Sequence, residues 1–216
     1  MKTIEVWIEG TSPLLQHRAT EEGLGGGHQT RTNTVAERED PRTIAGKAIY
    51  RVNDNDPKSQ IAVVGAAFSR LIREAGGAHK VKGSRKSLKY LVPAAVIVLD
   101  DLCGLYLKDR KTKIVDFEVD MRPVTIPATK GRVMRYRARF NEWACSFRLR
   151  VNETILEEAI VRRLLAEGCE QIGIGDFRPD KGGSFGTAAI VSWAVISDAK
   201  PKTAAQARNG EATTTS

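Results

Sequence analysis

The chain has 216 residues, 41% of them apolar, enough to bury the core of one domain and too many for a wholly disordered chain. Lys and Arg number 34 against 26 Asp and Glu, a formal charge of +8, so an anionic partner is expected, nucleic acid first. Three cysteines far apart, with no CxxC pair, argue against a disulfide framework or a zinc ribbon and fit a reducing cytoplasm.

The opening Met1-Lys2-Thr3-Ile4-Glu5 lacks the apolar run of a secretion signal, and no stretch reaches the roughly 18 apolar residues of a membrane helix. A cytoplasmic protein is expected, with no membrane contact, no metal and no cofactor. Residues 3–9 alternate, Ile4, Val6 and Ile8 against Glu5, Trp7 and Glu9, as in a half-buried strand. Trp7 reads as a ring covered by the following loop rather than as a platform for a base. Residues 11–56 read as an irregular insertion. It holds the cluster Gly23-Leu24-Gly25-Gly26-Gly27-His28, a polar run and a short helical turn within residues 45–52.

Asp56-Pro57 signals a helix start, and Ile61, Val64, Phe68, Leu71, Ile72 and Ala75 recur at helical spacing. Gly76-Gly77 is expected to end that helix through positive φ. The next segment is basic: Lys80, Lys82, Arg85, Lys86 and Lys89 form either a solvated loop or a phosphate-contacting arm. Residues 91–99 read as a buried strand. Residues 113–121 read as a strand with Val115, Phe117, Val119 and Met121 inward and Asp116, Glu118 and Asp120 outward.

Arg135, Arg137 and Arg139 fall on one strand face, with Tyr136, Ala138 and Phe140 on the other. A return strand sets Trp143, Cys145, Phe147, Leu149 and Val151 against Arg148 and Arg150. If residues 132–151 form one β-hairpin, five arginines share a surface, unless Asp116, Glu118 and Asp120 neutralise them from a neighbouring strand. Asn152 is expected to cap a helix whose apolar side includes Leu156, Ile160 and Leu164, ending at Gly168.

A loop follows with five glycines between Gly173 and Gly186, then a final strand to Ile196. The loop is either a long ordered turn or a cradle in which Gly182, Gly183 and Gly186 expose backbone N–H groups to phosphates, helped by Arg178 and Lys181. Residues 197–216 carry almost no large apolar side chains and read as a disordered tail. With the insertion and the extra β-hairpin set aside, the order is βαββαβ over a single domain of residues 1–196, an α+β, ferredoxin-like pattern shared with RNA-recognition motifs.

Gly173-Ile174-Gly175 through Gly182-Gly183-Ser184-Phe185-Gly186, set between the last helix and the last strand, resembles the glycine-rich loop of the RAMP superfamily. That superfamily comprises ferredoxin-like RNA-binding proteins of CRISPR effector complexes and their processing endoribonucleases. The opening strand with its exit Gly10-Thr11-Ser12-Pro13-Leu14-Leu15 is similar to theirs, and both segments also resemble a family of uncharacterised bacteriophage proteins. The resemblance implies a phage or prophage protein that binds single-stranded RNA or DNA without cleaving it and self-assembles along the strand. The residues then expected to contact nucleic acid are Lys82, Arg85, Lys86, Arg135, Arg137, Arg139, Arg148, Arg150, Arg178, Lys181, Gly182, Gly183 and Gly186.

An alternative within the same resemblance is a metal-independent endoribonuclease, for which His17 and His28 are the candidate general acids or bases. Another is a protein-interaction module acting as scaffold or inhibitor. No GxxxxGK[ST], HExxH or GxSxG motif occurs.

Overall fold

The computed structural model describes residues 1–18, 40–125 and 131–198. His28, the glycine cluster around it and residues 199–216 lie outside them. The fold is α+β, built on two antiparallel sheets.

The first strand, β1 (Lys2–Gly10), buries Ile4, Val6 and Ile8 completely, as its alternation requires. β2 (Leu14–Gln16) leaves for the second sheet. Within the expected insertion lie α1 (Pro41–Lys47) and β3 (Tyr50–Arg51). The Asp40 carboxylate accepts the Arg42 and Thr43 amides at 3.0 and 3.2 Å and caps α1, with Pro41 in the first turn.

β4 (Ile61–Val64) corrects the expected helix start at Asp56-Pro57. The Asp56 carboxylate accepts the Lys58 amide at 2.9 Å and closes a turn instead. Ile61, Val63 and Val64 are β-branched, and their strand pairs with β6 (Leu102–Tyr106) and with β3. The helix α2 (Gly65–Ala75) begins only at Gly65, where a Cβ would stand 1.9 Å from the Asp100 carbonyl oxygen. At its end Gly76 has φ −60, not the expected positive value, and the chain continues as a 3₁₀ turn.

Residues 91–99, expected as one strand, split into the single turn α3 (Val92–Ala95) and β5 (Val96–Val98), because Pro93 sits in the first turn of α3. β7 (Glu118–Thr125) and β8 (Arg132–Phe140) form the antiparallel pair of the second sheet, with β2 on the other edge of β8. On β7 Glu118 is exposed as expected, but Asp120 and Met121 are reversed: Asp120 is 5% exposed and Met121 57%. Its partner is β8, so Asp120 lies opposite Arg137 and finds its charge partner there.

The expected hairpin over residues 132–151 is not formed. β8 and β9 (Ala144–Val151) are consecutive in sequence yet belong to different sheets. Trp143, fully buried, makes the crossing; its Nε1–H donates to the Ser12 carbonyl at 2.9 Å. β9 does alternate as expected, with Cys145, Phe147, Leu149 and Val151 all buried.

Asn152 caps a turn, not a helix, accepting the Thr154 amide and hydroxyl. The helix α4 (Glu158–Gln171) follows and runs past Gly168, which lets it close on α2: a Cβ there would meet Leu71 Cδ2 at 2.3 Å. β10 (Ala188–Asp198) ends the described chain, two residues beyond the expected boundary. The large sheet has the order β10-β1-β9-β6-β4-β3, and β5 also pairs with β9. α2 and α4 pack on one face of it, where Phe68 stacks on Phe147 with ring centroids 4.0 Å apart. The three cysteines are free and buried, and burial pushes the Cys169 thiol up to about 12. No helix among the described residues is long and apolar enough to cross a membrane.

Candidate nucleic-acid interface

The glycine-rich loop leaves α4 at Gly173 and wedges between α2 and β2. Its backbone amides are already used. The N–H of Gly182 donates to Pro179 O at 2.9 Å, that of Gly183 to Arg178 O at 3.0 Å and that of Gly186 to Pro13 O at 2.8 Å. The expected cradle of bare amides is therefore absent. The glycines serve close approach: a Cβ on Gly183 would sit 1.8 Å from Phe177 O. The cations of the loop are also engaged. Asp180 accepts from Arg70 at 2.8 Å and Arg178 at 3.2 Å, and Lys181 Nζ stands 3.9 Å away. Only Lys181 among these three has a mostly exposed side chain.

The arginines of β8 do not form a free row. Arg137 is 3% exposed; its Nε donates to Asp176 Oδ2 at 2.7 Å, and its Nη1 lies 3.7 Å from Asp120 Oδ2. Asp120 also accepts from Arg122 Nε at 2.9 Å. Arg135 stands 3.9 Å from Asp176, and Arg139 donates to Asn141. Arg139 faces Glu118 across the ladder, while Asp116 pairs with Arg42 of α1. The neutralising carboxylates are thus Asp120 and Asp176, the second of which sequence reasoning did not single out. Desolvation pushes the Asp176 carboxyl up, but the Arg137 hydrogen bond and charge, the Phe177 amide and Arg135 outweigh it and hold the group below the ordinary range. This network ties the second sheet to the glycine-rich loop.

His17 lies at the end of β2 beside that network, on the rim of a cavity of about 410 Å³ that Tyr50, Arg70, Asp176 and Arg178 also line. Desolvation first, then the charge of Arg135, lowers its pKa, so the ring is neutral at pH 7. On β9, Arg148 is held by Asp100, while Arg150 is exposed with no ion pair among the described residues.

The basic segment after α2 is built differently. Gly83, at φ 73, turns the chain; Lys80 bridges to Ser87, and the Val81 amide donates to Lys86 O at 2.9 Å, closing a small antiparallel loop. Its base is fixed to both helices. Ser87 Oγ donates to Gly76 O at 2.8 Å, Lys89 pairs with Glu74 at 2.7 Å, and His79 contacts Glu167. Four of its cations, Lys80, Lys82, Arg85 and Lys86, are exposed and make no ion pair among the described residues. Tyr90, at the end of the 3₁₀ turn that follows, is 74% exposed. Five basic residues in eleven mark this segment in the sequence. Nothing there says which of them lack a carboxylate.

Comparisons with known proteins add little to this geometry. No protein-family profile matches the chain, and no curated protein does. A chain of a solved structure, the Type IV-B CRISPR Complex, is similar to it. It is 14% identical, with a TM-score of 0.49, and the alignment spans 98% of this chain and 100% of that one.

Proposed function

We propose that the protein is a non-catalytic, single-stranded nucleic-acid-binding module on a ferredoxin-like βαββαβ frame. The frame is read from the antiparallel order β10-β1-β9-β6, with α2 and α4 as its two helices. The observation that carries the function is the loop of residues 80–87. It sets four unpaired cations on a base anchored to α2 and α4, and the exposed Tyr90 follows in the turn after it. Cations without carboxylate partners have no internal charge to satisfy them, and a phosphate chain supplies one at each contact while releasing counterions. The exposed ring of Tyr90 offers a face for an unstacked base, which a duplex does not present.

Fluorescence anisotropy with single-stranded RNA, single-stranded DNA and duplex of equal length tests this reading. Both single strands are expected to bind more tightly than duplex at low salt, and labelled RNA to remain intact in the presence of EDTA. The variant carrying Lys80→Ala, Lys82→Ala, Arg85→Ala and Lys86→Ala should flatten the plot of log K against log salt by about 2.8, roughly 0.7 for each lost phosphate contact. No binding at low salt, or an unchanged slope in the folded variant, removes the proposal and leaves a protein-interaction role.

A further inference from the structure

The large sheet has a second face, opposite α2 and α4. Glu5, Trp7 and Glu9 alternate with the fully buried Ile4, Val6 and Ile8 and so point to that face. On the neighbouring strand β9, Ser146, Arg148 and Arg150 do the same, standing opposite Trp7, Glu5 and Thr3. Trp7 is partly exposed and packs against Tyr106 at the end of β6, ring centroids 5.3 Å apart at 57°. The pair spans β9, whose Ala144 lies opposite Tyr106 and is fully buried.

Charge surrounds this aromatic pair unevenly. Tyr106 leads into residues 107–113 and is bridged to Lys113. Lys108, Lys111 and Lys113 are exposed and make no ion pair among the described residues, nor does Arg150. The carboxylates nearby are largely answered. Arg110 Nε lies 3.8 Å from Glu9, Asp100 is held by Arg148, Glu5 stands opposite the same Arg148, and the Asp109 carboxylate, beside Lys111, accepts the Lys111 and Thr112 amides and the Thr112 hydroxyl. What remains is an excess of positive charge around two partly exposed rings, on the sheet face away from α2 and α4. We infer that this face is a second contact surface for a single strand, in which bases stack on Trp7 and Tyr106 while Lys108, Lys111, Lys113 and Arg150 meet phosphates. An unpaired nucleic-acid strand supplies both halves, flat bases and a line of anions. The inference rests on the proposed function but uses residues that the loop of residues 80–87 does not contain.

One titration of the full chain reads both surfaces. A single-stranded deoxythymidine oligomer is added while its anisotropy and the protein's tryptophan fluorescence are recorded together. Trp143 is buried and Trp193 lies on the helix side, packed with Arg162, so stacking should quench Trp7. The expected result is saturable quenching that follows the anisotropy and is lost in Trp7→Phe. Tyr106→Leu, with a wild-type circular dichroism spectrum, should weaken binding at least about fivefold. An abasic strand of the same length should bind both proteins alike. Binding by anisotropy without loss of fluorescence, or equal quenching in Trp7→Phe, overturns the sheet-face inference and leaves the proposed function standing. No anisotropy change at low salt overturns both.

Discussion

Arg137→Ala separates a stabilising arginine from a binding one. The guanidinium is almost fully buried between Asp176 at 2.7 Å and Asp120 at 3.7 Å. Removing one partner from a buried ion pair costs about 3–5 kcal/mol, because the other charge stays desolvated. Here each carboxylate keeps something. Asp120 retains Arg122 Nε at 2.9 Å, and Asp176, the more exposed, retains the Phe177 amide and a distant Arg135. The expected loss therefore falls at the low end, about 3 kcal/mol. For a domain of this size each kcal/mol moves the melting temperature by about 2–4 °C, so Tm should drop by about 6–12 °C. Scanning calorimetry gives that number, and anisotropy at several salt concentrations gives the slope of the variant below its Tm. The slope should equal that of the wild type. A variant that melts like the wild type but has a slope flatter by about 0.7 would show Arg137 reaching a phosphate, and the buried network would lose its standing as structure.

Asp176 makes the same network sensitive to acid. Its folded pKa lies below its unfolded value, so its contribution is present above the unfolded pKa and is lost as pH falls through the folded one. Urea unfolding at stepwise lower pH should show that loss in the wild type, and a smaller one in Asp176→Asn. Gly183→Val should destabilise the protein by about 3 kcal/mol, the upper end for overpacking, because its Cβ meets the backbone oxygen of Phe177 at 1.8 Å. Urea melts that match the wild type would show that the loop can move aside and that its tight approach is not required.

Much of the frame is legible in the sequence because single-strand alternation and helix stripes are local signals. Ile4, Val6 and Ile8 were readable, and so were Cys145, Phe147, Leu149 and Val151. Ile61–Val64 misled because its apolar residues continue the spacing of the helix that follows, and only the pairing of Ala62 with Gly104 marks it as a strand. Asp120 was expected outward because its burial depends on Arg137 and Arg122, partners that alternation cannot reveal. The loop glycines were visible, but the carbonyls of Pro13 and Arg178 that take their amides were not. The basic segment was visible from composition. Its availability depends on the absence of carboxylates in space, and Lys89, taken by Glu74, shows that membership of the run does not decide it.

The pairing of β1 with β10 has a consequence for how the chain is made. Lys2 lies opposite Asp198, so the first strand finds one of its two neighbours only when nearly the whole chain is present. Its other neighbour, β9, is almost as late. Contacts so distant in sequence must close a long loop before they contribute, which slows folding. During synthesis β1 leaves the ribosome with both edges unpaired; one is met when β9 emerges, and the other stays open until β10 does. Any chain cut short before β10 would keep one edge of β1 open along its full nine residues, a template for another copy of the same strand. Release of incomplete chains is therefore expected to give insoluble product, whatever the solubility of the finished protein.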